Sequence, residues 1–240
     1  MSAASRNGRL YPFFSYYGAK NRAAPLYPNP SHRLLIEPFA GSAGYSVLHH
    51  EHDVILGDLD HRIVGVWSYL IRAKESEILS LPVQFEHVND LHVPQEAKWF
   101  LGFWIVKGAS YPRLTPANWQ KSGKYPSSIW SEVVRARIAS QVGKIRHWQV
   151  HCRSYEEMPN VQASWFIDPP YVGRVGRHYL HHHIDRCNLG AWCLSREGQT
   201  IVCGADGEDW LPFESLATVP SMATRHGRRF SHEAVWIRQV

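Results

Sequence analysis

The chain lacks most of the features that assign a protein to a class at sight. Its four cysteines, Cys152, Cys187, Cys193 and Cys203, form no Cys-x-x-Cys pair, so it reads as a cytosolic chain with reduced thiols rather than a disulfide framework. No basic N-terminal segment leads into a long apolar stretch, so neither a signal peptide nor a membrane span is expected. Internal repeats and low-complexity tracts are missing as well, which excludes a repeat array. Acidic residues are in deficit, 21 against 26 Lys and Arg. The resulting net charge of +5 and pI near 9.1 suit a polyanionic partner without requiring one. Histidine is abundant, with fifteen in the chain, yet it shows no zinc-ligand spacing. His181-His182-His183 lies near Cys187, but adjacent side chains on a strand or loop diverge. These histidines are expected on a polar loop beside a polyanion, where partial protonation attracts phosphate. No metal is expected.

What is present is enough apolar residue, 44% of 240, for one good core plus a small subdomain. The most informative stretch is Asp168-Pro169-Pro170-Tyr171, directly after the apolar run Ser164-Trp165-Phe166-Ile167. That run reads as a buried strand, which puts the tetrapeptide at its carboxyl end, where open α/β sheets bind ligands. Two prolines stiffen the loop and remove two N–H donors, leaving the Asp168 carboxylate and the Pro169 carbonyl as pure acceptors. An amine with two hydrogens fits that pair, and Tyr171 offers a ring on which the amine's own ring can stack. The plain alternative is a surface turn, for which Asp-Pro and Pro-Pro are common.

Two upstream blocks weigh against the plain alternative. Leu34-Leu35-Ile36 predicts a strand, followed by Glu37-Pro38-Phe39-Ala40-Gly41-Ser42-Ala43-Gly44 and a helix from Tyr45-Ser46-Val47-Leu48. A strand, a small-residue turn and a helix suit a nucleotide-type cofactor, because Gly41 and Gly44 let backbone approach a ligand. Val54-Ile55-Leu56-Gly57-Asp58-Leu59-Asp60 then predicts a second strand ending in acid, about twenty residues on. Acids at that place accept hydrogen bonds from ribose hydroxyls; the alternative for either is an N-cap on the next helix.

The chain divides by composition. Residues 33–75 read as strand, helix, strand, helix, the last helix running through Val64–Leu70. Residues 76–147 are rich in aromatics and cations, with helical patterning around Glu96–Lys107 and Trp130–Trp148. Between these lies a Pro-, Gly- and Ser-dense loop, Gly108–Ser128, whose Arg113, Lys121 and Lys124 suit contacts to phosphates and base edges. A solvated basic helical subdomain with an aromatic core explains the other cations and the buried aromatics equally well. Residues 148–240 return to α/β patterning, with strands near Thr200–Cys203 and Ala234–Arg238.

In their order these blocks resemble the Dam-like (D12-class) DNA adenine N6-methyltransferase family. Tyr16-Tyr17-Gly18-Ala19-Lys20 is similar to its aromatic, glycine and lysine entry motif, and Glu37-Pro38-Phe39-Ala40-Gly41 to its cofactor loop. Gly57-Asp58-Leu59-Asp60 is similar to its acidic ribose motif, and Asp168-Pro169-Pro170-Tyr171 to its catalytic motif. Cys152-Arg153-Ser154-Tyr155 resembles a further block whose aromatic lies by the cofactor's adenine. The match spans most of the chain outside 76–147. Ala43 stands where the family has its last loop glycine, and the middle region lacks the Asn- and Gly-rich signature of GATC-methylating members, so no recognition sequence is implied.

The resemblance implies a Rossmann-like S-adenosylmethionine-dependent methyltransferase fold, α/β, formed by residues 1–75 and 148–240. Residues 76–147 would be an inserted, mainly helical target-recognition subdomain. A mostly parallel sheet is expected, with the final strand antiparallel at or near an edge. It further implies that Lys20 meets the cofactor's carboxylate, Tyr16 packs on its methionine portion, Asp58 holds the ribose and Tyr155 lies by the adenine. Glu37, Phe39, Gly41 and Asp168 complete the cofactor set, while Asp168, Pro169, Pro170 and Tyr171 act on a flipped adenine. The resemblance also implies double-stranded DNA as the partner, with a cognate restriction endonuclease acting separately as an optional further one, and the cytoplasm of a bacterial cell or phage-infected host as the compartment. Rival readings are a methyltransferase for another amine, such as cytosine N4, RNA or a glutamine amide, and an inactive DNA-binding relative.

Overall fold

The computed structural model describes residues 8–117, 127–173, 176–220 and 230–239. Seven strands form one sheet: β1 (Leu34–Glu37), β2 (Asp53–Asp58), β3 (Gln149–Cys152), β4 (Ala163–Ile167), β5 (Gly198–Ala205), β6 (Glu214–Pro220) and β7 (Phe230–Arg238). Their order is β3-β2-β1-β4-β5-β7-β6. Strands β1 to β5 pair in parallel, and β7 is antiparallel to both β5 and β6. The chain is therefore α/β with a mostly parallel sheet, and β7 alone runs against the others among the described strands. The order reverses between β1 and β4, which makes their carboxyl ends the place where a crevice opens.

Side chains alternate between the two faces of the sheet, and each face has its own core. Leu35, Val54, Leu56, Phe166, Ile201 and Val235 belong to the larger cluster; Ile36, Trp165, Ile167 and Val202 belong to the smaller one. All five residues of β4 are buried, as expected of a central parallel strand covered on both faces. The larger core is closed by α1 (Gly44–Leu48), α2 (His61–Arg72), α4 (Gln95–Trp104) and α5 (Glu132–Val142), with α3 (Glu75–Leu79) packed on α5. The smaller core is closed by α6 (Arg186–Leu194) through Leu189 and Cys193. Helix α2 buries Ile63, Val66, Trp67 and Leu70, the i, i+3, i+4, i+7 stripe of an amphipathic helix. At about 1.5–3 kcal/mol for each fully buried apolar side chain, that stripe fixes α2 against the sheet.

The aromatics of 76–147 are largely core: Phe100, Phe103, Trp104 and Trp130 are buried in the same cluster as α2. Several of its cations hold backbone. Arg146 donates to the carbonyls of Ile71, Arg72 and Ala73, capping the carboxyl end of α2, and Arg135 donates to Leu81. Two strands were not expected from the sequence, β3 and β6. Both lie at the edges of the sheet, and β3 reads Gln-Val-His-Cys, without a run of apolar residues. No helix among the described residues is long and apolar enough to cross a membrane.

Candidate active site

A cleft of about 420 Å³ opens at the carboxyl ends of β1, β2 and β4, within the usual size of small-molecule pockets. Tyr16, Lys20, Glu37, Phe39, Gly41, Asp58, Tyr155, Asp168 and Pro170 all line it. Pro169 is buried and Tyr171 packs partly buried against the larger core, so neither is a lining residue. Arg113 lies in a separate cleft of about 510 Å³, with Arg62, Lys98, Trp99 and Tyr111. Lys121 and Lys124 fall outside the described residues.

The turn after β1 is shaped by the entry motif. Gly41 has φ +45°, and a Cβ there would come within 2.9 Å of the Tyr16 ring. A Cβ on Gly44 would come within 2.7 Å of the Asn21 backbone nitrogen. The space these glycines free is thus taken by the Tyr16–Asn21 segment, a finding that differs from the expected approach of backbone to ligand. Ala43 itself is left-handed, φ 46° and ψ 48°, the conformation a glycine adopts most cheaply. Glu37 accepts from the Ser46 backbone N–H at 2.6 Å, tying the end of β1 to α1. Burial drives its carboxyl up to about 8, with the Ser46 bonds opposing.

At the end of β2 the two acids divide their tasks. Asp58 accepts from the backbone N–H groups of Gly41 at 3.0 Å and Asp60 at 2.9 Å, joining two walls of the cleft. Burial pushes its carboxyl up to about 6, against those same donors. Asp60 caps α2, accepting from the Arg62 N–H at 3.0 Å and pairing with its guanidinium at 2.6 Å. Across the cleft, Phe39 and Tyr155 present rings 5.4 Å apart and inclined at 30°, a flat apolar wall. Tyr155 is edged by Glu156 and Asn188, which bond to each other. The remaining wall is the segment after Asp168–Tyr171. Tyr179 donates to the Tyr17 carbonyl at 3.2 Å, and His181, His182 and His183 follow it along the cleft.

Asp168, just beyond β4, is half-buried and forms an ion pair with Lys20, Nζ to Oδ1 2.9 Å. Burial raises the Asp168 carboxyl above its ordinary value, with Lys20 pulling it back. Burial disfavours the Lys20 ammonium, but the carboxylates of Asp168, foremost, and Glu233 hold its pKa above the ordinary lysine value. The loop is braced from outside. Arg186 donates to the Pro170 carbonyl and lies over the Trp210 ring, while Val172 donates its N–H to Glu208 at 3.0 Å. Tyr171 has Lys20 Nζ 4.6 Å from its ring centre, and its hydroxyl donates to Glu233 at 2.8 Å.

Glu233 was not among the expected site residues. Its only sequence signal is an acid within a strand of otherwise buried apolar neighbours, Ala234 and Val235. Chemically, the cleft offers acceptors at Asp58 and Asp168, a flat wall at Phe39 and Tyr155, and a buried Ser42 hydroxyl without a partner among the described residues. No protein-family model matches the chain, and no curated protein matches it.

Proposed function

We propose that this chain transfers a methyl group from S-adenosylmethionine to the N6 amine of adenine flipped out of duplex DNA. The observation that carries the reading is convergence. Five separate segments, Tyr16–Lys20, Glu37–Gly44, Asp58–Asp60, Ser154–Glu156 and Asp168–Pro170, meet in one cleft at the reversal point of a parallel sheet. These are the blocks whose residues resemble the methyltransferase family, and nothing in a plain turn or cap reading requires them to meet. On this reading the sheet is a Rossmann-like methyltransferase domain in the cytoplasm of a bacterial or phage-infected cell. Residues 76–147 are its target-recognition insertion, with the Arg113 cleft facing DNA.

The residues fit the cofactor. Asp58 keeps lone pairs beyond its two backbone bonds and suits ribose hydroxyls. Phe39 and Tyr155 suit an adenine ring, and the orphaned Ser42 hydroxyl supplies a polar contact in the turn between them and the entry motif. S-adenosylmethionine bound there supplies a methyl group on a sulfonium, already a good leaving group. The chain's own work is positioning. Asp168 accepts one amine hydrogen from the cleft lining and, on this reading, the carbonyl of the buried Pro169 behind it accepts the other, so that the nitrogen lone pair, otherwise delocalised into the ring, turns toward the methyl group. Lys20, expected at the cofactor's carboxylate, is engaged by Asp168 and Glu233 instead, so its part is to hold Asp168 in place. The base reaches this depth only outside the helix stack.

The test is Asp168→Ala, assayed by methylated-nucleoside analysis of DNA from expressing cells. Loss of N6-methyladenine is expected, with DNA affinity largely kept because phosphate contacts elsewhere supply it. Appreciable methylation by this variant would overturn the role of Asp168, and the nucleoside recovered with wild type names the amine.

A further inference from the structure

Beneath the cleft lies a second acid. Glu233 is 5% exposed, on β7 opposite Ala205 of β5 and Ala217 of β6. Its Oε2 is 3.6 Å from Lys20 Nζ and accepts from the Tyr171 hydroxyl at 2.8 Å and the Tyr27 hydroxyl at 3.4 Å; its Oε1 accepts from Ser231 at 2.8 Å. The pairing of β6 with β7 slips between Ser215 and Ala217, beside this position, and such irregularities recur next to functional sites.

We propose that Glu233 is a positioning residue of the cleft. Its carboxylate holds the Lys20 ammonium and the Tyr171 hydroxyl together under Asp168, so that Lys20 is shared between two acids and Asp168 keeps an acceptor for substrate. Its effect on rate rests on the methyl-transfer reading above; its effect on Lys20 rests on geometry alone.

Three considerations support it. Lys20 meets Asp168 through Oδ1, which leaves Oδ2 outside that ion pair. Were Lys20 paired with Asp168 alone, the ammonium would neutralise that carboxylate and weaken it as an acceptor. A second acid draws part of the charge away and leaves the buried group with two carboxylates against one ammonium. The excess negative charge complements a cationic methyl donor and a nitrogen that gains positive charge as it is methylated. Stability offers no competing reason, since burying ions usually gains nothing over well-packed apolar residues. Among the described residues, the other titratable groups facing Glu233 or Lys20 are Tyr27, Tyr171, Tyr179 and Cys203. Burial keeps all four protonated by raising their pKa values, so Asp168 and Glu233 are the charges that matter.

Glu233→Gln keeps the shape and removes the charge. In full-length protein with S-adenosylmethionine and unmethylated duplex DNA, kcat should fall about ten- to a hundredfold, the rate equivalent of one charge-assisted hydrogen bond. KM for DNA should stay within about twofold. The Lys20 ammonium, followed by NMR of carbon-labelled lysine, should titrate at lower pH than in wild type. Tyr171→Phe removes one donor to Glu233 without altering its charge; it should give a smaller loss in kcat that does not add to that of Glu233→Gln. An unchanged Lys20 titration in folded Glu233→Gln, or additive losses in the double variant, would overturn the proposal. If Glu233→Gln does not fold, full activity of Tyr171→Phe overturns it. Wild-type protein that methylates no DNA would overturn the enzymatic reading and leave the Lys20 titration to decide the role of Glu233.

Discussion

Asp58 and Asp60 stand two residues apart at the end of β2 and are predicted to fail differently. Asp58 faces the cleft and links Gly41 to Asp60, whereas Asp60 is spent on the α2 N-terminus and Arg62. Asp58→Ala should weaken S-adenosylmethionine binding by about 1–3 kcal/mol, the cost of leaving polar partners unpaired. Asp60→Ala should cost about 1 kcal/mol of stability through the lost cap and affect binding less. Calorimetric titration with S-adenosylmethionine and urea denaturation of both variants separate the effects, and the reverse ranking would move the ribose contact to Asp60. Residues such as these were legible in sequence because their meaning is local. An acid after a strand and an acceptor before two prolines keep their chemistry whatever lies around them. Glu233 was not, because its partners Lys20, Tyr27 and Tyr171 come from distant segments and meet it only once β7 enters beside β5. Gly41 and Gly44 were legible as small but not in what they make room for, since the occupant, the Tyr16–Asn21 segment, precedes them in the chain.

Among elements, the turn from β1 into α1 carries a local conflict. Ala43 is the one non-glycine residue with positive φ among those described, and it is 1% exposed. The left-handed conformation costs alanine about 1–2 kcal/mol, while glycine's extra freedom in the unfolded chain costs about 0.4–1 kcal/mol. Ala43→Gly should therefore be neutral or mildly stabilising. The same change at Ala191, exposed inside α6, should destabilise by about 1 kcal/mol. Urea unfolding midpoints compare them directly, and an equal loss at both positions would remove the strain argument. The central elements were readable because burial on both faces leaves an unbroken apolar run, as in β4, and burial on one face leaves a stripe, as in α2. Edge strands β3 and β6 meet neither condition. Their pairing with β2 and β7 is a tertiary fact that periodicity does not carry.

For the whole molecule, the arrangement of buried charge sets how stability follows pH. His49 is driven down to about 4 by burial, with His52 adding, so its contribution is present above the ordinary 6.5 and lost as pH falls from there. Raised acids act in the opposite sense. Each costs nothing below its ordinary value, and its penalty grows until pH passes the folded value. Asp58 completes that change near 6 and Glu37 near 8, from ordinary values of 3.8 and 4.5. Above about pH 6.5, His49 and Asp58 have largely finished titrating and Glu37 has not. The ligand-free protein should therefore lose stability as pH rises from 6.5 to 8. Over about 1.5 pH units at about 1.36 kcal/mol each, the loss is on the order of 2 kcal/mol. Glu37→Gln keeps an oxygen for the Ser46 N–H and removes the ionisable group, so it should flatten most of this fall. Urea unfolding of both proteins at pH 6.5, 7.25 and 8 measures it. A wild-type curve that is level or rising over that range would mean Glu37 is already ionised when folded. Its buried place in the lining of the cleft would then hold a negative charge where a neutral acid is expected.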